Sequence, residues 1–371
     1  MGSKDLHRKP FDDGTNCKLN IFETYTQEWL PVMIMSKHHP VCCIYDLFAG
    51  PGYDTTGQQG SPIRILSQIQ KQANNIFLTK TKIGLWLNEA DKNKFIQLVE
   101  NCNIFIDSEP LLKQLRNAQL LRINFTQSRF EDIFDNKILK ALNQCPSLLF
   151  LDQNGIKHLN QFEKLVGIKH LDFLYFVSSS YYVRFGETKQ FKDILDIDKD
   201  DIRALEYKDI HEIITDELCS LIPPYSDMRI YPFSIKKDKN IYGIVFGSSN
   251  VLGVEKFLRT TWNINPQNGT ANFDIEDDNQ KSQLDLFEGK RLTKVERFVD
   301  DIQAAILSGE ISNNLHAYLF TLDRGFLPSH AQTAINTLKS QKKITFEGRT
   351  PAVNYKDAYK GEKIIEYKLI K

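Results

Sequence analysis

The chain has 371 residues, which is long enough for two folded domains, one large and one small. Hydrophobic residues make up 41% and charged residues 25%, an ordinary composition for a soluble globular protein. Basic and acidic residues balance at 47 each, so net charge alone gives no reason to expect nucleic-acid binding, which would need a local basic patch. There is no signal-peptide pattern and no apolar run long enough to span a membrane, which together predict a cytoplasmic protein.

The cysteines show no metal-binding pattern. None forms a Cys-x-x-Cys pair, and no histidine cluster accompanies them, so a metal site is not expected. Cys42 and Cys43 lie in a predicted central strand and are expected to be buried, reduced thiols of a cytosolic protein. The six are Cys17, Cys42, Cys43, Cys102, Cys145 and Cys219.

The first predicted helix follows a polar lead-in over residues 1–17 and runs from Lys18 to about Met35. Its apolar residues recur at helical spacing, and Pro31 is expected to kink or end it. Two roles stay open for this helix: it covers a ligand pocket, or it packs on the edge of a sheet.

A glycine turn follows the first predicted strand. Val41–Tyr45 is short and apolar, which predicts a buried strand of a parallel sheet. Asp46 closes the strand, and Gly50 and Gly52 follow at a spacing of two. Only glycine turns with positive φ and leaves no Cβ in the way of a ligand. The alternative is a glycine turn that binds nothing.

The next helix begins at Gly60-Ser61-Pro62, with Ser61 predicted as its N-cap and Pro62 in the first helical position. Its N-terminus would face the glycine loop and favour an anionic group.

The strings Asp46-Leu-Phe-Ala-Gly-Pro-Gly52 and Gly57-x-x-Gly60-Ser61-Pro62 carry a family resemblance. The first resembles the opening motif of Rossmann-like S-adenosylmethionine (SAM) methyltransferases, with Phe48 in place of the first glycine. Together they look like the three-Cys-motif partner proteins (TcmP), which are bacterial methyltransferase-like proteins with a C-terminal winged helix. The resemblance implies SAM as cofactor, held by Asp46, Phe48, Gly50 and Gly52. It also implies a three-cysteine, radical-SAM-like partner protein.

The second strand, Ile83–Leu87, is followed by two acidic residues, Glu89 and Asp91. One carboxylate at this position can accept hydrogen bonds from both hydroxyls of a ribose, and Glu89 is the candidate. The alternative is an acid that begins the next helix, a role that suits Asp91 better.

The third strand, Leu120–Asn124, is followed by Ser128 and Arg129. Many SAM methyltransferases have an Asp here that contacts adenine. The resemblance therefore places Ser128 and Arg129 at the cofactor, although neither residue type matches the family.

The fourth strand, Ser147–Leu151, ends in Asp152-Gln153-Asn154-Gly155. In the resembling enzymes the transferred methyl lies here, so Asp152, Gln153 and Asn154 are the predicted catalytic residues. Related sequences tend toward Asp-Pro-Phe-Gly, so the stacking aromatic is missing. The alternative is a loop without chemistry.

The fifth strand, Phe173–Val177, leads to candidate substrate residues Tyr181, Tyr182 and Arg184. The alternative for the tyrosines is packing under the helices that follow. A hairpin of Arg229–Ile235 with Ile241–Phe246 would then complete the sheet.

The tail predicts a winged helix-turn-helix, with helices at 293–308, 312–323 and 328–342 and two strands, Lys343–Gly348 and Lys363–Ile370. Its basic surface is modest, so a protein-binding or structural role is as well supported as nucleic-acid binding. The expected exposed residues are His330, Gln332, Asn336, Lys339, Lys342, Lys343 and Arg349.

The whole chain therefore predicts an α/β protein: a Rossmann-like class I methyltransferase sheet over residues 1–270, a polar linker over 271–291 and a winged helix over 292–371. Two functions follow. The first is a SAM-dependent methyltransferase with an unidentified acceptor. The second is a non-catalytic nucleotide- or SAM-binding module that acts with the radical-SAM-like partner or with nucleic acid.

Overall fold

The computed structural model describes residues 10–36, 38–152, 162–178, 215–216, 218–237, 240–281 and 291–370. The chain divides into two compact units, Met1–Gly253 and Val254–Lys371. The predicted boundaries at 270 and 292 stay a prediction. The predicted site residues Gln153, Asn154, Tyr181, Tyr182 and Arg184 lie outside the described residues.

The described strands of the first unit form one seven-stranded sheet in the order β3-β2-β1-β4-β5-β7-β6. The first five strands are parallel to one another, and β7 is antiparallel to both β5 and β6. The strands are β1 (Val41–Asp46), β2 (Lys82–Asn88), β3 (Leu121–Thr126), β4 (Ser147–Leu151), β5 (Leu171–Ser178), β6 (Arg229–Lys237) and β7 (Asn240–Ser248).

This order confirms the predicted fold class of a Rossmann-like, methyltransferase-type sheet. The order reverses at β1, which pairs with β2 on one side and with β4 on the other. Asp46 lies opposite Leu87 of β2 and Phe150 of β4. The carboxyl ends of three strands therefore meet at one place, which is where ligands bind in open sheets of this kind.

Of the described helices of the first unit, the first precedes the sheet and the others lie in the connections between parallel strands, as parallel pairing requires. They are α1 (Asp13–Ile34), α2 (Ser61–Lys71), α3 (Ala73–Thr79), α4 (Lys92–Ser108), α5 (Pro110–Asn117), α6 (Phe130–Ile133), α7 (Leu139–Leu142) and α8 (Phe162–Val166). A π-helical turn, Phe134–Ile138, joins α6 to α7.

Helix α1 packs over the sheet. Phe22 stacks on Phe150 of β4 with ring centroids 4.0 Å apart, and the buried Tyr25 hydroxyl donates to Asp172 of β5 at 2.6 Å. The helix begins five residues earlier than predicted and continues to Ile34, so Pro31 does not end it. Burial of a large apolar face offsets the one hydrogen bond that the proline lacks.

The start of α2 also differs from the prediction. Gly60 is the N-cap, with extended backbone at ψ −179°, and Ser61 is the first helical residue. The Ser61 hydroxyl is not used for capping because it donates to Asp46 instead, at 2.6 Å.

The second unit contains the predicted winged helix. Thr293 caps its first helix through a capping box with Glu296, and Phe298, Ile302 and Ile335 are buried in its core. The elements are α9 (Val251–Ile264), α10 (Asp278–Lys281), α11 (Lys294–Leu307), α12 (Asn314–Asp323), α13 (Pro328–Ser340), β8 (Ile344–Thr345) and β9 (Lys368–Leu369).

In the described ranges, no helix is both long and apolar enough to cross a membrane. Likewise, no group of three or more histidine, cysteine or acidic residues in those ranges is placed to hold a metal ion.

Candidate functional site

The loop after β1 turns at two glycines with left-handed backbone, Gly50 at φ 64° and Gly52 at φ 92°. Gly60 closes the loop because its amide donates to the Gly52 carbonyl at 2.8 Å. A Cβ at Gly60 would lie 3.1 Å from that oxygen. The positive φ angles and the close approach at Gly60 both favour glycine, so no side chain of these three residues covers the loop backbone.

The side chain of Asp46 is hydrogen-bonded to both ends of this loop. Its carboxylate is fully buried and accepts from the Ser61 hydroxyl at 2.6 Å and from the Phe48 amide at 3.2 Å. Burial raises the pKa of Asp46 to about 7, and the bonds from Ser61 and Phe48 only partly oppose that rise. Asp46 therefore holds the glycine loop to the start of α2 and does not face solvent.

Glu89 joins the ends of β1 and β2. Its Oε2 accepts from the Gly50 amide at 3.0 Å, and its Oε1 accepts from the Asp91 amide at 2.8 Å. Asp91 is the N-cap of α4 and accepts from Asn93 and Lys94. Asp91 therefore caps the helix, as the sequence suggested, and Glu89 contacts the glycine turn, while its contact with a ribose stays a prediction. Each carboxylate oxygen of Glu89 can accept one more hydrogen bond.

Asn88, which we did not identify from the sequence, connects three segments. Its buried amide nitrogen donates to Leu47 O at 3.1 Å and to Ser128 O at 3.0 Å. Its side-chain oxygen accepts from the Thr126 hydroxyl at 2.9 Å. A polar residue at the end of a buried strand is the signal that would have revealed it, because such a group must be hydrogen-bonded.

Ser128 and Arg129, the two candidate cofactor residues after β3, have different surroundings. Ser128 uses its carbonyl oxygen to bind Asn88, and Arg129 is exposed at the N-cap of α6. Phe48 stacks on Phe130 with centroids 5.4 Å apart, and so it forms an apolar wall next to the glycine turn. The roles of Ser128 and Arg129 at a cofactor stay predictions.

The N-terminal turns of α1 cover the same end of the sheet. Gln58 of the loop donates to Asn16 at 2.6 Å, and the Phe11 amide donates to Asp54 at 2.8 Å. On the other side, Asn101 of α4 donates to the Pro51 carbonyl at 2.8 Å. The glycine loop is thus fixed between α1 and α4, and a role of α1 in covering a ligand pocket stays a prediction.

Asp152, at the end of β4, is paired with Lys18 of α1 through its Oδ2. The ammonium group of Lys18 also lies 4.5 Å from the ring centroid of Phe176 on β5. The side chains of Lys18 and Asp152 are 10% and 23% exposed, so water only partly screens the pair. We did not identify Lys18 from the sequence because a lone lysine in an amphipathic helix gives no signal.

The basic surface predicted for the winged helix is smaller than expected. His330 is half-buried, with its ring centroid 4.4 Å from that of Trp262, and burial lowers its pKa. Gln332 donates to Val353 O at 2.8 Å, and Lys339 donates to Gly348 O at 2.8 Å. These three side chains are used inside the domain. The exposed ones are Asn336, Lys342, Lys343 and Arg349.

Comparison with known proteins gives two findings. A family described as the GMT-like wHTH domain matches residues 274–351. A solved structure, Trm1 from Pyrococcus horikoshii in complex with S-adenosyl-L-methionine, is similar at a TM-score of 0.37 and 11% identity. That alignment covers 67% of this chain and 59% of the Trm1 chain. No curated protein matches the sequence.

Proposed function

We propose that this protein binds SAM at the glycine loop and transfers its methyl group to an acceptor held at the end of β4. The observation that carries the proposal is the 3.0 Å hydrogen bond from Gly50 to Glu89, which brings the glycine turn and the acidic residue of β2 into one corner. A positive-φ glycine loop beside a carboxylate suits a nucleoside with an anionic or dipolar tail.

The residues of this corner fit such a cofactor. Glu89 has acceptor capacity for two ribose hydroxyls while it still holds the loop through Gly50 and Asp91. Phe48, half-buried against Phe130, offers an apolar wall. SAM, when bound, supplies an electrophilic methyl group on a sulfonium. The contribution of the protein is then mainly to position an acceptor in line with that group.

Asp152 is the residue that we assign to the acceptor. Lys18 binds its Oδ2, and in the described part of the chain no donor reaches Oδ1. A carboxylate oxygen can only accept, so Oδ1 would hold the N–H or O–H of an acceptor and turn its lone pair toward the methyl. The ion pair with Lys18 fixes the orientation of the carboxylate. Phe176 directly follows Tyr175, the β5 partner of Leu151, and its half-buried ring lies against Lys18.

A second candidate function rests on the same ion pair. With Lys18 on Asp152, the carboxylate already has a partner inside the protein, which suits a binding module that retains the SAM pocket without transfer. We propose that in either case the chain is a three-Cys-motif partner protein. It would act with a three-cysteine, radical-SAM-like protein, and its winged helix would contact that partner or nucleic acid.

Methyl transfer can be tested without knowing the acceptor. Full-length protein would be incubated with methyl-labelled SAM and, separately, with total RNA, sheared DNA and soluble protein from a cell extract. Asp152→Asn keeps the shape of the side chain and removes its charge. We expect at least a roughly tenfold loss of label incorporation, about 1.4 kcal/mol of barrier, with SAM affinity little changed.

Asp135→Asn is the matched control because Asp135 is also paired with a lysine, Lys164, but lies on the surface. It should incorporate label at the wild-type rate. Full incorporation by Asp152→Asn would remove Asp152 from the mechanism. SAM binding without transfer to any of the three pools would favour the non-catalytic module.

A further inference from the structure

Two cysteines from distant parts of the chain face each other at the start of the central strands. The Sγ atoms of Cys43 on β1 and Cys145, two residues before β4, lie 3.4 Å apart. The Cys43 amide donates to the carbonyl of Pro146 at 2.9 Å, so the two backbones are already tied beside the thiols. The sequence separation of 102 residues gives no hint of this meeting.

The pair differs in burial from the two cysteines of the core. Cys42 and Cys102 are fully buried, whereas Cys43 and Cys145 are half-buried. Cys145 lies in a bend outside the strands. The Sγ atoms need to approach only from 3.4 Å to the length of a disulfide bond, about 2.0 Å. A bend can supply that movement more easily than a paired strand.

The chemistry of the pair favours oxidation. The hydrogen bond with Cys43 lowers the pKa of Cys145 to about 7, and burial only partly opposes this. The same contact raises the pKa of Cys43, so Cys145 is the thiol that ionises first. The thiolate is the form of cysteine that attacks a hydroperoxide, and a neighbouring thiol then attacks the oxidised sulfur to form a disulfide.

We propose that Cys43 and Cys145 form a thiol modification site that closes to an intramolecular disulfide when the protein meets a hydroperoxide. The Cys145 thiolate breaks the O–O bond of hydrogen peroxide, becomes a sulfenic acid and releases hydroxide, which takes up a proton to form water. Cys43 then attacks the Cys145 sulfur, the S–O bond breaks, and a second water leaves. The two thiols together lose two electrons and two protons, and the peroxide is reduced to two waters.

This disulfide would link β1, which carries the glycine loop, to the segment that leads into β4, which carries Asp152. Oxidation would therefore fix the spacing of the two strands on which the proposed site is built. The inference rests on the two sulfurs alone and holds whether or not the protein transfers methyl groups.

The test is to oxidise the full-length protein with hydrogen peroxide, block remaining thiols with iodoacetamide and map tryptic peptides by mass spectrometry. The background is Cys219→Ser, which removes an exposed cysteine that could link two molecules. We expect a linked pair of peptides, His38–Arg64 with Ala141–Lys157, about 2 Da lighter than the sum of the two peptides with Cys42 alkylated and with Cys43 and Cys145 as free thiols. Reduction with dithiothreitol should separate them.

Cys42 shares its tryptic peptide with Cys43, so three more variants identify the sulfur. Cys42→Ala should keep the link, while Cys43→Ala and Cys145→Ala should each lose it. The proposal is overturned if Cys43 and Cys145 both stay alkylated at peroxide concentrations that oxidise the exposed Cys219 of the wild-type protein. It is also overturned if the link persists in Cys43→Ala, or if Cys145 oxidises to a sulfinic acid while Cys43 stays free.

Discussion

At the scale of single residues, the corner between β1 and β2 is held by side chains that each bind backbone atoms of another segment. Asp46 binds the Phe48 amide, Glu89 binds the Gly50 amide, and Asn88 binds the carbonyls of Leu47 and Ser128. A buried polar group costs free energy unless it is hydrogen-bonded, and each of these is. The positions of the loop atoms are therefore set before any ligand arrives.

Asp46 makes the stability of the protein depend on pH. The pKa of Asp46 is about 7 in the folded protein, whereas the ordinary value for an exposed aspartate is 3.8. Between about pH 4 and 7 the folded protein therefore holds a proton on Asp46 that the unfolded chain has released. Stability from this residue is therefore greatest at low pH and falls as pH rises, by up to about 1 kcal/mol per pH unit. Above pH 7 the full cost of the buried charge is present.

Urea unfolding between pH 5 and 8 measures this effect. The wild-type protein should lose stability relative to Asp46→Asn as pH rises, because the variant has no carboxylate to ionise at this position. Asp172, whose burial raises its pKa to about 6, contributes the same trend to both proteins and cancels in the difference. If the stability difference between the two proteins is constant over this range, Asp46 is already ionised at pH 5.

Asn88→Ala should destabilise the first unit by about 3 kcal/mol, because it leaves Leu47 O, Ser128 O and the Thr126 hydroxyl without their buried partner. Urea unfolding again gives the measurement. Asn143 is the matched control, since its amide also bonds a backbone carbonyl but is exposed, and Asn143→Ala should change stability by less than about 0.5 kcal/mol. Equal effects of the two substitutions would show that Asn88 does not tie the segments together.

Residues that a backbone conformation requires could be predicted from the sequence. Residues whose role depends on a tertiary contact could not. The sequence indicated Gly50 and Gly52 because positive φ demands glycine. Lys18 was missed because the ion pair depends on where α1 crosses the sheet, 134 residues from Asp152 along the chain. Whether the predicted site residues bind a cofactor stays a prediction.

At the scale of elements, a lysine on the third helix of the winged domain contacts the wing. Lys339 of α13 donates to Gly348 O, and its ammonium lies 3.8 Å from the ring centroid of Phe346. This lysine was expected to be exposed, but the carbonyl oxygen and the ring hold it within the domain. The surface left for nucleic acid is correspondingly less basic.

Lys339→Ala should therefore lower the stability of the second unit by about 1–2 kcal/mol, through the lost hydrogen bond and the lost cation–π contact. Lys342→Ala removes an exposed lysine just past the end of α13 and should have an effect below about 0.5 kcal/mol. Thermal unfolding followed by circular dichroism compares the two. A larger effect for Lys342 would contradict this account of the wing.

The types of most described elements could be predicted, whereas their ends could not. β4 was predicted at its observed bounds, since Ser147–Leu151 is apolar and completely buried. The wing strands were predicted longer than the two-residue β8 and β9, because strand propensity does not show where pairing stops. Pro31 was expected to kink or end α1, but packing on the sheet carries the helix past it.

At the scale of the whole molecule, strand order is the property that explains the most. Parallel strands β1, β2 and β4 end together, and this brings Asp46, Glu89 and Asp152 to one edge of the sheet although they are far apart in sequence. That order could be predicted only through the family resemblance, because hydrophobic patterns identify strands but not their neighbours. The matched winged-helix family begins at residue 274, inside the segment predicted as a linker.

The most direct test of the central claim is calorimetric titration of the full-length protein with SAM. We expect one molecule bound per chain and at least a roughly tenfold weaker affinity, about 1.4 kcal/mol, for Glu89→Gln, which removes the charge and one acceptor oxygen. Asp91→Asn, an equal change of charge two residues away at the helix cap, should bind within about twofold of wild type. No binding by the wild-type protein, or equal affinity of Glu89→Gln and wild type, would contradict the proposed site.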